Sequence, residues 1–311
     1  MTQKLSIKKV LLAEIEAVYG TDPGPVAANA MMVSNFTMKP MASTREKRQR
    51  AYPAFGADLD QIAQKYRTTQ FDIEAGASGA AGTAPLYDCV MQACGLSSTI
   101  VAETSVTYAP ISTGQKSITE YFFWDGIKHT LLGARGNAKL SLDGGKLPQW
   151  TFSMSGLYAD WSDTAPPAGV GAELENFVNG VEVNKANTTF TLGGVAVVFD
   201  KFEFDVGNTV IFRDRPNAAY IAQTDRKASG SITFEANTVA TQDWANGVAN
   251  ETTYALALTH GIVGGNIISL SAAKVQLGEP SYTDLQGVLG LTFPLSFVRT
   301  VGDDEFSFAL T

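Results

Sequence analysis

Hydrophobic and polar positions alternate with a period of two over short stretches along most of the chain, and one such stretch occurs twice. Tyr66-Arg-Thr-Thr-Gln-Phe-Asp-Ile-Glu-Ala75 in the first half is answered by Arg226-Lys-Ala-Ser-Gly-Ser-Ile-Thr-Phe-Glu-Ala236 in the second. Phe71, Ile73 and Glu74 line up with Ile232, Phe234 and Glu235. Upstream, Val33-Ser-Asn-Phe-Thr-Met38 is answered by Phe199-Asp-Lys-Phe-Glu-Phe204. Such alternation marks a strand with one buried face. Two copies are too few for a solenoid. They predict one small β-unit duplicated and fused, which turns attention to assembly rather than to a catalytic cleft.

The same patterning places the other elements. Residues 10–19 fit a helical stripe or a buried strand, and Gly20-Thr-Asp-Pro-Gly-Pro25 breaks either one. Residues 30–38 and 67–74 read as strands. Between them, 39–65 reads as a long basic loop punctuated by Pro40, Pro53 and Gly56, and loops of that length are commonly functional. The stretch from Pro85 reads as a short helix ended by Gly95. Asp125-Gly126 between 117–124 and 127–132 is a hairpin signal, because both turn positions need positive φ. A second hairpin joins 138–142 to 150–157. Pro166-Pro167 marks a linker, dividing the chain at 1–165 and 166–311. Beyond it, strands are predicted at 188–199, 201–206, 209–213, 228–236, 252–259, 266–278 and 287–299, with a tail at 305–310. Gly207-Asn208 reads as a hairpin turn, and 242–246 as the stunted counterpart of the first helix. The fold class is mainly β.

Length, at 311 residues, agrees with about two domains. With 45% hydrophobic and 17% charged residues the chain lies away from the disordered regime. It has no run of about 18 apolar residues to span a membrane. The first nine residues lack the apolar core of a signal peptide, so synthesis in the cytosol is expected. The net charge of −8 is uneven: residues 1–165 hold 15 basic and 15 acidic side chains, and 166–311 hold 8 and 16. Within the neutral half Lys39, Arg45, Lys47, Arg48 and Arg50 face a single Glu46. That segment suits contact with an acidic surface, while the overall acidity disfavours strong nucleic-acid binding.

Candidate chemistry is sparse. His129 and His260 belong to no metal or triad motif. No Gly-x-Ser-x-Gly elbow occurs, and Gly76–Gly82 lacks the Lys-Ser/Thr ending of a phosphate loop. Cys89 and Cys94, five apart on a predicted helix, face apart and read as core residues rather than a disulfide. Asp303-Asp304-Glu305 lacks an EF-hand pattern and reads as a charged turn. No catalytic, cofactor-binding or metal residue is assigned, and no enzyme is expected.

Leu12-Ala-Glu14 with Tyr19-Gly-Thr-Asp-Pro23 near the start is similar to the opening of the major tail tube proteins of long-tailed, siphovirus-like bacteriophages. Tyr121-Phe-Phe-Trp-Asp-Gly-Ile-Lys-His129, Gly133-Ala-Arg-Gly136 and Gly145-Lys-Leu-Pro148 through Phe152 and Ser155-Gly-Leu-Tyr158 resemble their central strands. Phe202-Glu-Phe-Asp-Val-Gly-Asn208 resembles the start of a second domain in two-domain members. The resemblance implies two tandem β-sandwiches of crossed antiparallel sheets, each with a short flanking helix and long loops. It implies a structural virion protein whose subunits join their inner sheets into a tube for DNA ejection. Three duplicated chains would make a ring with pseudo-six-fold symmetry; a hexamer is the alternative. Implied partners are other copies, the tape measure, terminator and distal tail proteins, and passing phage DNA, with no membrane. The basic loop would contact a stacked ring, and the acidic balance suits a bore that does not hold DNA. The alternative is a carbohydrate- or receptor-binding β-sandwich using Trp124, Trp150, Trp161 or Trp244.

Overall fold

The structure, a computed structural model, describes residues 3–311. Strands β1 (Lys9–Ile15), β2 (Ala30–Met31), β3 (Ser34–Glu46) and β4 (Gln61–Glu74) precede helix α1 (Asp88–Ala93). Next come β5 (Leu96–Val101), β6 (Ser105–Pro110), β7 (Ile118–Trp124), β8 (Ile127–Asp143), β9 (Gln149–Tyr158) and β10 (Ser162–Asp163). Helix α2 (Val170–Glu175) leads to β11 (Thr188–Leu192), β12 (Val195–Ala196), β13 (Phe199–Asp205), β14 (Asn208–Arg215), β15 (Ala218–Arg226) and β16 (Ser229–Glu235). After α3 (Trp244–Ala249) follow β17 (Thr253–His260), β18 (Ile268–Leu277), β19 (Ser281–Leu285), β20 (Val288–Phe297) and β21 (Ser307–Leu310). The protein is mainly β, built from antiparallel sheets and three short α-helices.

One layer is a run of eight antiparallel strands in the order β3-β4-β9-β8-β13-β16-β20-β19. The repeated sequence pattern reappears in its register. Met38 stands opposite Thr69 as Phe204 stands opposite Gly230. Ile73 stands opposite Trp150 as Phe234 stands opposite Leu291. Helix α1 follows β4 as α3 follows β16, so the counterpart of the first helix begins within the expected 242–246, and at six residues, like α1, it is not stunted. The last strand of the first set is the long β8. In the second set its place is shared by β18 and β19, separated at Gly278-Glu279-Pro280.

The covering layer is joined across the halves as well. The β5–β6 hairpin pairs with β21, and β21 with β18, which pairs with β17 and through it β11. On the other side β1 pairs with β7. Between the layers lies one continuous apolar cluster, from Phe71, Trp150 and Phe152 to Phe202, Phe234 and Phe293. Helix α2, just beyond Pro167, buries Val170 against Leu12, Ala30 and Tyr121 of the first half.

Asp125 and Gly126 take φ of 46° and 85°, as the hairpin signal requires, and Gly95 ends α1 at φ 74°. Residues 10–15 resolve as strand. Three expectations are corrected. The 39–65 segment is a loop only over 47–60: β3 runs on to Glu46 and β4 starts at Gln61, because register shifts absorb Pro40 without ending the pairing. The two strands expected at 127–132 and 138–142 are one, with its register shifted between Leu132 and Arg135 around Gly133. Gly207-Asn208 is not a hairpin turn: β13 pairs with β16 and β8, whereas β14 pairs with β15.

Candidate functional site: a joined sheet, two open edges and two arms

The junction between the halves is a strand pair. β8 uses one edge for β9 along its length; on the other edge it meets β7 first and then β13. Leu140 faces Phe204 and Leu142 faces Phe202, all at most 1% exposed. Phe204 is packed edge-on by Phe297, Phe306 and Phe308 at centroid distances of 4.9, 4.8 and 5.2 Å. The opposite face is polar. Lys139 and Asp205 pair at 2.9 Å, and Lys201 and Glu203 at 2.7 Å. Around them this face presents small hydroxyl side chains such as Ser141, Thr151, Ser153, Ser231 and Thr233.

Each half carries a hairpin arm continuing its first two strands. In the second half the arm bends sharply at Gly207, whose φ is 72° and whose Cβ would meet the Lys227 carbonyl at 1.9 Å. The bend lays β14–β15 over the first half. The Ile221 amide donates to the Tyr19 hydroxyl at 2.6 Å, Arg135 donates to the Ile221 carbonyl at 3.0 Å, and Phe212 packs on Tyr66. Arg226 anchors the root through the Ile111 carbonyl, Asp303 and Glu305. Asp304 accepts the amides of residues 300–302, so the acidic run is a charged turn.

The first arm instead projects. Its root is held by Arg67, fully buried, which donates to the carbonyls of Pro40 (2.8 Å), Thr130 (2.6 Å) and Ala159 (3.1 Å). Burial lowers the pKa of this guanidinium. The sequence reading missed Arg67 because nothing local marks three distant carbonyls. Lys39 and Arg45 lie on β3, while Lys47, Arg48 and Arg50 lie in the unpaired tip. Arg48 donates to Gln61 at 2.8 Å. None of the five forms a salt bridge among the described residues. Tyr52, Phe55 and Leu59 at the tip are exposed.

The buried ionisable groups do not converge on a cleft. His260 sits between the Thr188 hydroxyl (2.8 Å) and the Val181 carbonyl (3.0 Å). Burial, with Arg67 nearby, pushes His129 down to about 4. Both cysteines are free, and burial pushes Cys89 up to about 12. No cluster of three or more metal-ligating side chains occurs among the described residues. Trp150 and Trp244 are buried in the core, which removes two of the four tryptophans a sugar site would use.

Glu120 lies fully buried in the first half. The Thr69 hydroxyl donates to its Oε2 at 2.8 Å, and Oε1 has no partner among the described residues. Burial raises its carboxyl from 4.5 to about 7, against that hydrogen bond. A carboxyl raised in the folded state stabilises most where both states are protonated, so this contribution is present below about pH 4.5 and lost as pH climbs to about 7. His129 runs the other way, losing stability as pH falls from 6.5 towards 4. Comparing wild type with Glu120→Gln cancels the histidine. Wild type is expected to lose on the order of 3 kcal/mol relative to the variant between pH 4.5 and 7. Urea melts across that range check it, and a constant difference would refute it.

A search of curated proteins found no match to the chain. The family described as phage tail tube protein matches residues 6–297. The chain belongs to that family. As a tail tube protein it is a structural subunit of the phage tail, and its self-assembling surfaces are the features to seek. The family match extends over both sets of four strands, including the β8–β13 junction.

Proposed function

We propose that this chain is the repeating wall subunit of a siphovirus-like tail tube. Residues 1–165 and 166–311 act as two tail-tube-like units. Three chains close into a ring of pseudo-six-fold symmetry, and stacked rings form the conduit for DNA ejection. The observation that carries this reading is the eight-stranded layer, in which one four-strand order occurs twice and both outer edges, β3 and β19, are unpaired among the described residues. Open sheet edges invite aggregation, and ring closure removes them. Other tail components, including tape measure, terminator and distal tail proteins, meet the tube ends. The subunit is made in the host cytoplasm and resides in the virion. Negative-stain electron microscopy of concentrated protein tests the reading. Rings or hollow filaments with three-fold repeats are expected; a protein that stays monomeric at every concentration overturns it.

The hydroxyl-rich polar face of the layer forms the bore in this proposal. Its junction lysines are already paired with carboxylates, so few cations are free to displace counterions from phosphate. The tube is expected to show no measurable affinity for duplex DNA at physiological salt. Sub-micromolar binding with a steep salt slope would reverse this assignment.

The basic arm is assigned to contact with an adjacent ring. Lys39, Arg45, Lys47, Arg48 and Arg50 lack carboxylate partners within the described chain, and exposed aromatic residues accompany them. Exposed ion pairs contribute about 0–1 kcal/mol each, so the effect comes from repetition around the ring. Reversal of Arg45, Arg48 and Arg50 to Glu is expected to impair tube growth while leaving the monomer melt unchanged. Normal tubes from that variant would show the arm to be merely solvated.

A further inference from the structure

The junction inside the chain carries the register of the junction between chains. The duplication can be followed residue by residue. Through β4 and β16, Ile73 corresponds to Phe234; through their partners β9 and β20, Trp150 corresponds to Leu291. Leu140 stands opposite Trp150, and Tyr282 stands opposite Leu291, so Tyr282 occupies the place of Leu140. Likewise Met38, opposite Thr69, occupies the place of Phe204, opposite Gly230. Within the chain Leu140 pairs with Phe204.

Exposure agrees with this correspondence. Leu140 is 1% exposed because β13 covers it. Tyr282 lies on the same face as the core-facing Leu291, yet is 76% exposed, and Leu289 beside it is 57% exposed. Tyr282 sits on the core side of an edge that has no next strand among the described residues. The occupant that fits is a second copy of this chain, since its β3 has the strand order and register that β13 has at the internal junction, and among the described residues its outer edge is unpaired.

We infer that β19 of one copy pairs antiparallel with β3 of the next, with Tyr282 directly opposite Met38 and Thr283 opposite Thr37. This inference rests on the proposed ring assembly. The pairing seats the tyrosine ring on a thioether, a favourable contact. On the polar face it sets two threonines side by side, a stabilising cross-strand pair. The faces of Tyr282 and Met38 are already fixed by their partners Leu291 and Thr69, so a slip of one residue would set side chains of opposite faces across from each other, which a pleated pair does not allow.

Cysteine cross-linking in assembled protein tests the register. Directly opposite strand residues lie within disulfide reach, and diagonal ones beyond it. Oxidised assemblies of Tyr282→Cys/Met38→Cys are expected to lose their monomer band to covalent multimers, whereas Asp284→Cys/Met38→Cys stays monomeric on a denaturing gel. Wild-type tubes give a second readout without substitution: hydrogen exchange at the amides of 281–285 is expected to slow on assembly. Cross-linking in the diagonal pair, or tubes whose 281–285 amides exchange as fast as in the monomer, would overturn this register and leave the ring standing. Failure of wild type to form any ring would overturn both.

Discussion

Phe204→Ala is expected to cost about 3–5 kcal/mol of folding stability, the largest single effect among the aromatic core positions of the junction. Phe204 is 1% exposed and takes part in both layers. It pairs with Leu140 and Gly230 in the eight-stranded layer. It also meets Phe306 and Phe308, and Phe308 belongs to β21 of the covering layer. Truncation leaves a cavity lined by Phe297, Phe306 and Phe308, which the surrounding packed core does not collapse to fill. Because the core is continuous across the halves, denaturant unfolding should stay a single transition at lower midpoint. The exposed Leu289→Ala serves as control, with a change within about 0.5 kcal/mol. A cost for Phe204→Ala below about 1 kcal/mol would show that the halves are not joined through this cluster.

The second large effect falls on assembly. Tyr282→Lys should leave the monomer fold intact, because the side chain is mostly exposed. In the ring it would place an ammonium group on the core side of a strand pair, opposite Met38. An unpaired buried charge costs several kcal/mol. The concentration at which rings form is therefore expected to rise more than about a hundredfold, since each tenfold corresponds to about 1.4 kcal/mol. Sedimentation across a dilution series measures it. Inward-pointing lysine is also how natural sheets keep an edge unpaired. Rings forming at the wild-type concentration would refute a buried place for Tyr282.

The two predictions probe the same geometry at two sites, once closed within the chain and once open to a neighbour. The closed site contains Leu140 and Phe204; the open one offers Tyr282 and Met38. The replacement of a buried leucine by a tyrosine fits an edge that must tolerate water before assembly, since a phenol has an apolar body and a polar tip.

The amino-acid sequence by itself determined the mainly β class, the duplicated strand pattern, the Asp125-Gly126 hairpin, the helix stop at Gly95 and the resemblance to tail tube proteins. These are local signals: side-chain alternation, positive-φ turn residues and short motifs act within a few positions. Phe71 and Ile73 alternate because one face of β4 is buried, whatever lies beyond it. Tertiary structure alone decided which strands meet. That β8 changes partner from β7 to β13, that Arg67 collects the carbonyls of Pro40, Thr130 and Ala159, and that β21 closes between β6 and β18 are pairings across tens to hundreds of residues. The basic segment shows the division most plainly. Its charge and prolines read as a loop, yet β3 runs into it to Glu46 and β4 begins at Gln61, because a ladder with bulges accommodates a proline that strand propensity alone excludes. Strand partnership is set by shape and burial summed over the whole core, and no window of sequence contains that sum.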